Sequence, residues 1–200
     1  MTVFLFAMFV TPTAAQEEDS VSQVLEEINL ARTDPLKFAG FLREMRSGFQ
    51  GKFYLTPGTT DLIETGEGVA AVDEAIQLLS CRKSLPPLTR SAGLAAAAAE
   101  LIAKQSGSGA TGHGGVQSNG MRERIERHGK WKGRIGENIA YSLDNPRIMV
   151  IQMIVDDGIP GRGHRKNLFN PVFTSAGVSC GPHPRFGRMC VIDFSGGFTE

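Results

Sequence analysis

No excess of either charge runs through this 200-residue chain: Lys plus Arg and Asp plus Glu number 21 each. Nucleic-acid binding depends on concentrated positive charge, so that class of partner is set aside. Two short basic clusters, 122–127 and 162–166, read as solvated faces rather than as a footprint. No apolar run approaches the ~20 residues needed to span a bilayer. Cysteine is scarce, and three residues leave room for one bridge and one free thiol. A glycine-rich dinucleotide fingerprint, a P-loop, an HExxH helix and a GxSxG elbow are all missing, so none of these well-marked chemistries has its signature here. No internal repeat is visible, and 200 residues fit one domain with a substantial core.

What is present begins with a targeting pattern. Val3 to Val10 is a short apolar run, followed by Thr11-Pro12-Thr13-Ala14-Ala15. An apolar region, a helix-breaking proline and small residues predict a signal peptide cleaved after Ala15, although no Lys or Arg precedes the run. Residues 16–200 then form the mature, secreted or periplasmic domain. Cys180 and Cys190 flank a turn-rich stretch between two β-like runs. Facing hairpin positions bring Cα atoms within the ~4.4–6.8 Å a disulfide needs, so an oxidising compartment predicts a Cys180–Cys190 bridge with Cys81 free. The competing reading is two buried thiols in adjacent strands.

Helical periodicity dominates the first two thirds. Val24, Leu25, Ile28 and Ala31 recur at helical spacing from Val21 onward, and Asp34-Pro35 interrupts the run before a second short helix over 36–42. Residues 47–68 read as an ordered loop or small hairpin. Val72, Ala75, Ile76 and Leu79 mark a further helix over 69–80. Ser91 is the expected N-cap of an alanine-rich helix over 94–102, whose small side chains permit close packing. Met121 to His128 reads as a charged surface helix, Ile135 to Tyr141 as a turn or short strand, and Pro146 to Val155 as a buried helix. Residues 173–180 and 188–194 then alternate as paired antiparallel strands. Helices first and strands later argue for an α+β domain with an antiparallel sheet.

The candidate site lies in the glycine-rich segments. His113 stands in Thr111-Gly112-His113-Gly114-Gly115, and His164 in Gly161-Arg162-Gly163-His164-Arg165-Lys166-Asn167. Between them come Glu137, in Gly136-Glu137-Asn138-Ile139, and the pair Asp156-Asp157. Glycine allows close backbone approach, so a histidine flanked by glycines can line an open cleft. Imidazole and carboxylate together suit zinc or proton transfer near neutral pH. The competing readings are loop histidines on the surface, a buried Glu137 that satisfies backbone groups, and an Asp156-Asp157 pair that merely ends a helix. His128 and His183 are assigned to the charged helix and a hairpin tip, outside the site.

At these residues the chain resembles the CAP superfamily (cysteine-rich secretory proteins, antigen 5 and pathogenesis-related 1 proteins) in its bacterial form. The matching pieces, in order, are Asn29-Leu30-Ala31-Arg32, Pro87-Leu88, His113, Gly136-Glu137-Asn138-Ile139, Gly163-His164-Arg165-Lys166-Asn167-Leu168 and Asp193-Phe194. They cover about residues 20–46 and 76–198 and leave about 47–75 as an apparent insertion. The resemblance implies a three-layer α-β-α sandwich with an antiparallel central sheet. It also implies a cleft tetrad of two histidines and two acids, here His113, Glu137, Asp157 (or Asp156) and His164, which in some members binds a divalent metal; zinc is the metal expected here. Many members carry the second acid as a Glu on a Trp-containing helix; this chain has Asp156-Asp157 there and no Trp in that helix, so either Asp can serve, with a slight preference for Asp157. The function implied is a binding or interaction module for a lipid, an envelope component or an extracellular protein. The alternative is a metal-dependent hydrolase of peptides or cell wall, and a third reading is a purely structural domain.

Overall fold

The computed structural model describes residues 14–55, 62–114, 120–142 and 144–200, with backbone alone for 14–18. The expected leader over 1–15 thus lies almost wholly outside the described residues. Helix α1 (Ala14–Thr33) ends at Asp34, whose carboxylate accepts from Lys37 N and caps α2 (Pro35–Arg46). Proline at the first turn of α2 suits that position, because the missing N–H has no helical partner there. A small antiparallel sheet follows, β1 (Phe49–Gln50), β2 (Phe53–Leu55) and β3 (Leu62–Glu64), and leads into α3 (Val69–Cys81). The apparent insertion therefore supplies this small sheet and the first turns of a core helix, since Ala71, Val72 and Ala75 are fully buried.

The central sheet takes β4 (Thr89–Arg90), β6 (Ile135–Tyr141), β7 (Ser175–His183) and β8 (Gly187–Ser195) in the order β4-β7-β8-β6. The long pairs β7–β8 and β6–β8 are antiparallel, and the two-residue β4 joins β7 in parallel. Ile135–Tyr141, read from sequence as a turn or short strand, is a full seven-residue edge strand. Helix α4 (Ala92–Ser108) covers one face, with α5 (Gly120–His128) against it. On the other face lie α1, α2, α3, α6 (Pro146–Val155) and the short α7 (Gly163–Leu168). A two-stranded ribbon, β5 (Lys130–Trp131) with β9 (Phe198–Thr199), closes one end. The result is the expected three-layer α-β-α sandwich.

Alternation in β8 shows how the sequence builds two cores from one strand. Met189 and Val191 face α4 and pack with Ala98, Leu101 and Ile102. Cys190, Ile192 and Phe194 face the opposite layer and join the larger core of α1, α2, α3 and α6. Successive side chains of a strand point to opposite faces, so a strand buried on both sides reads as a continuous apolar run. Ser91 caps α4 by accepting from Leu94 N, as its sequence position predicts. The alanine run brings α4 close to β7, and Ser179 Oγ donates to Ala95 O. A disulfide joins Cys180 to Cys190, directly opposite one another in the β7–β8 ladder, and Cys81 is free and exposed.

Two residues of the first helix lock the layers. Asn29 donates to Leu88 O and accepts from Leu88 N, closing a two-way bridge to the connector before β4. Arg32 is fully buried and spreads its guanidinium over the carbonyls of Pro86, Leu168, Asn170 and Phe173. A buried charge is tolerated when its donors are satisfied in this way.

Candidate functional site

Edge strand β6 presents Glu137 on the α4 face and Asn138 on the other. Glu137 is buried, and its two oxygens are divided between two partners. Oε1 meets His113 Nδ1 at 2.7 Å, and Oε2 accepts from the Arg124 guanidinium of α5. Arg124 is itself buried and also donates to Ala97 O. The reading of α5 as a surface helix therefore fails at Arg124 and Ile125, which turn inward. The His113 ring remains largely exposed. The hydrogen bond to Glu137 raises the pKa of His113, against the opposing effects of burial and Arg124.

Directly across the ladder from Glu137 stands Asp193 of β8. Its carboxylate oxygens are buried and meet no hydrogen-bond donor among the described residues. Burial first, and then the charge of Glu137, push its pKa well above the ordinary carboxylate range. Of the two facing acids, Asp193 is therefore the one whose proton is held more tightly than in an ordinary carboxyl group. The strand pattern contained this signal, because Asp193 follows Met189 and Val191 at the same core-facing parity.

The second pair forms where α6 ends. Asp156 takes a left-handed conformation (φ 54°) as the C-cap of α6, a position that short polar side chains tolerate. From there its Oδ1 meets His164 Nδ1 at 2.6 Å, while Oδ2 accepts from the backbone N–H of His164 and of Arg165. Of the two acids left open by the sequence, the structure brings Asp156 to His164 and leaves Asp157 elsewhere. The Asp157 carboxylate accepts instead from Gly66 N at 2.6 Å and Glu67 N at 2.8 Å, tying the inserted segment to the end of α6.

Two asparagines connect the pairs. Asn138 donates to His164 O, and Asn167 donates to Glu137 O and to Asn138 Oδ1. Carboxylates only accept, so each histidine donates from Nδ1, and neither Nε2 meets a hydrogen-bond partner among the described residues. Among the described residues no group of three or more His, Cys, Asp or Glu side chains is placed to hold one metal ion. Because both acids are engaged in orienting the imidazoles, the two Nε2 atoms are the ring donors of this set left for a metal. Beside His164 and Asp156 opens a groove of about 770 Å³, lined by Phe49, Tyr54, Ile63, Ile139, Met149 and Met153 among others. His128 and His183 lie outside the two pairs: His128 meets Glu100, and the buried His183 meets Ala110 O.

The layered sandwich with two histidine–carboxylate pairs at one sheet edge defines a CAP-type α-β-α domain. The family model for the cysteine-rich secretory protein family (CAP) matches residues 25–194, and the chain belongs to this family. No curated protein matches the chain significantly. Its fold is similar to that of a cysteine-rich secretory protein from Staphylococcus aureus, with a TM-score of 0.53 and 12% identity over 94% of this chain and 42% of that one. An extracellular protein containing an SCP domain from Bacillus anthracis aligns over 64% of this chain and 37% of that one, with 20% identity and a TM-score of 0.46. The chain thus spans less than half the length of either. Among the described residues no helix is long and apolar enough to cross a membrane.

Proposed function

We propose that this chain is an extracytoplasmic binding module whose two histidines take a divalent metal, zinc by the chemistry of the donors. The observation that carries the reading is the matched pair of Nδ1 contacts, Glu137 on His113 and Asp156 on His164. A carboxylate on one ring nitrogen fixes the tautomer and raises the basicity of the other, as in the outer sphere of histidine metal sites. His113 and His164 would be the protein ligands, with Glu137 and Asp156 as orienting acids, and the bound metal would supply a Lewis-acidic centre for a ligand's oxygen or nitrogen. Export is supported by the leader pattern and by the Cys180–Cys190 bridge. The groove beside His164 gives such a domain a place to receive part of a lipid, an envelope component or an extracellular protein.

Calorimetric titration of the full chain with zinc tests the site. Binding is expected in the wild type and lost in the double variant His113→Ala/His164→Ala; equal affinity in both would refute the assignment. Incubation with peptides and peptidoglycan fragments, followed by mass spectrometry, tests the role. Uncut material is expected. Turnover that a chelator stops and zinc restores would replace the binding reading with a metal-dependent hydrolase.

A further inference from the structure

Strand β6 is an edge of the central sheet, and only one of its sides is paired. Ser142 N donates to Arg188 O and Gly196 N donates to Arg134 O, which sets the parity of the ladder with β8. In an antiparallel pair, alternate residues exchange hydrogen bonds with the partner, and the residues between them direct N–H and C=O away. Residues 134, 136, 138, 140 and 142 therefore face β8, while 135, 137, 139 and 141 face outward. The Glu137 carbonyl fits this parity, because Asn167 of α7 caps it from the free side. Beyond that cap, the outward backbone groups of Ile139 and Tyr141 have no hydrogen-bond partner among the described residues. Both residues line the groove.

The opposite wall of the groove comes from the inserted segment. Tyr54 and Ile63 are directly paired in β2–β3 and both line it, together with Phe49. Helix α6 supplies Met149 and Met153. Among the charged lining residues, Glu64 and Asp157 have no cationic partner among the described residues, so the rim is acidic. An acyl chain would fill the apolar space but leave four backbone groups of β6 without partners. An extended peptide satisfies all three features at once: main chain for the β6 edge, alternate apolar side chains for the walls, and a basic residue for the rim.

We infer that the groove between β6, α6 and the inserted sheet receives an extended, apolar and basic peptide segment that adds to the β6 edge as a further strand. The inference rests on the reading of the domain as a binding module and names the chemistry of its partner.

The probe is an acetylated, amidated heptapeptide of alternating valine and lysine, presented to the full chain. Exchange of the Ile139 and Tyr141 amides, followed by NMR, is expected to slow by about tenfold or more at saturation. Methylating one alternate set of peptide nitrogens is expected to weaken binding by about tenfold while methylating the other set does not, because only one set meets β6. Replacing lysine with glutamate in the probe, or Glu64→Lys in the protein, is expected to cost about tenfold as well. Unchanged exchange at the two amides, or equal effects of the two methylated sets, would overturn the inference. So would protection of those amides that depends on protein concentration without peptide, which marks a second copy on the edge, or occupation of the groove by oleate but not by the peptide. Zinc affinity and the intactness of the recovered peptide report on the binding-module reading separately, so the two can fail independently.

Discussion

Glu137 and Asp193 face one another across the β6–β8 ladder, two acids on one buried face of the sheet. Arg124 and His113 attend Glu137, whereas Asp193 meets no donor among the described residues. Burial and the Glu137 charge hold the Asp193 pKa above its unfolded value of about 3.9, so the native state keeps a proton that the unfolded chain releases. The contribution of this group to stability is full below the unfolded pKa and is lost as pH rises through the folded one. Asp193→Asn removes that titration. Urea midpoints from pH 4 to 8 are expected to fall for the wild type relative to Asp193→Asn, leaving the variant at least as stable at neutral pH. Parallel profiles would show that the Asp193 pKa is not raised by folding.

Arg124 carries the opposite prediction. It is the guanidinium on the buried Glu137, and removing one partner of a buried pair strands the other charge. Arg124→Leu is expected to destabilise by about 3–5 kcal/mol in urea unfolding, and adding Glu137→Gln should recover much of that loss. If the single variant costs no more than an exposed ion pair, the two groups do not act as a buried pair.

These acids show which parts of the molecule were legible beforehand. Periodicity located α1 to α4, α6 and the β7–β8 pair, because each buries a regular face that writes itself into the spacing of Val, Leu, Ile and Ala. The edge strand β6 was harder, since Gly136-Glu137-Asn138 interrupts its apolar pattern where the site is built. The histidines stood out because glycine marks loops that approach closely, but their partners depend on three-dimensional direction. Arg124 lay hidden among other charges of α5, and nothing local distinguishes it from Arg122 or Arg127. Asp193 stood in the sequence only as part of the closing Asp193-Phe194 strand, and its place opposite Glu137 depends on the β6–β8 register. The segment over 47–75 lacks strong periodicity because its strands are two or three residues long, and its place in the fold depends also on distant ties to Asp157 and Arg162.

The adjacent aspartates separate cleanly in a metal titration. Asp156 orients His164 through Nδ1, and losing such an outer-sphere partner costs roughly 10–100-fold in metal affinity. Asp156→Asn is therefore expected to weaken zinc binding by that order, measured against a competing chelator. Asp157→Asn, which alters only the contacts to Gly66 and Glu67, should leave zinc affinity unchanged while loosening the inserted segment. The reverse pattern would assign the second acid to Asp157.

Gly177 tests why the alanine helix lies where it does. It pairs with Asp193 in β7–β8 and sits directly beneath the first turn of α4. A methyl group there would overlap Ala95 N and the carbonyl carbon of Leu94, both backbone atoms that no rotamer change can move. The whole helix must lift, and with it the contacts of Ala98 and Leu101 to Val191 and Met189 on the same face. Overpacking in a dense core costs typically ~1–3 kcal/mol, and a backbone clash belongs at or above the top of that range. Gly181→Ala on the same strand meets only the methyl end of Ile102, a side chain that can rotate, so it is expected to cost less. Urea unfolding of the two variants should rank Gly177→Ala well below Gly181→Ala. Equal midpoints would mean that α4 is free to shift on the sheet, and that the Glu137–Arg124 pair, held through α5 against α4, is not fixed by this contact.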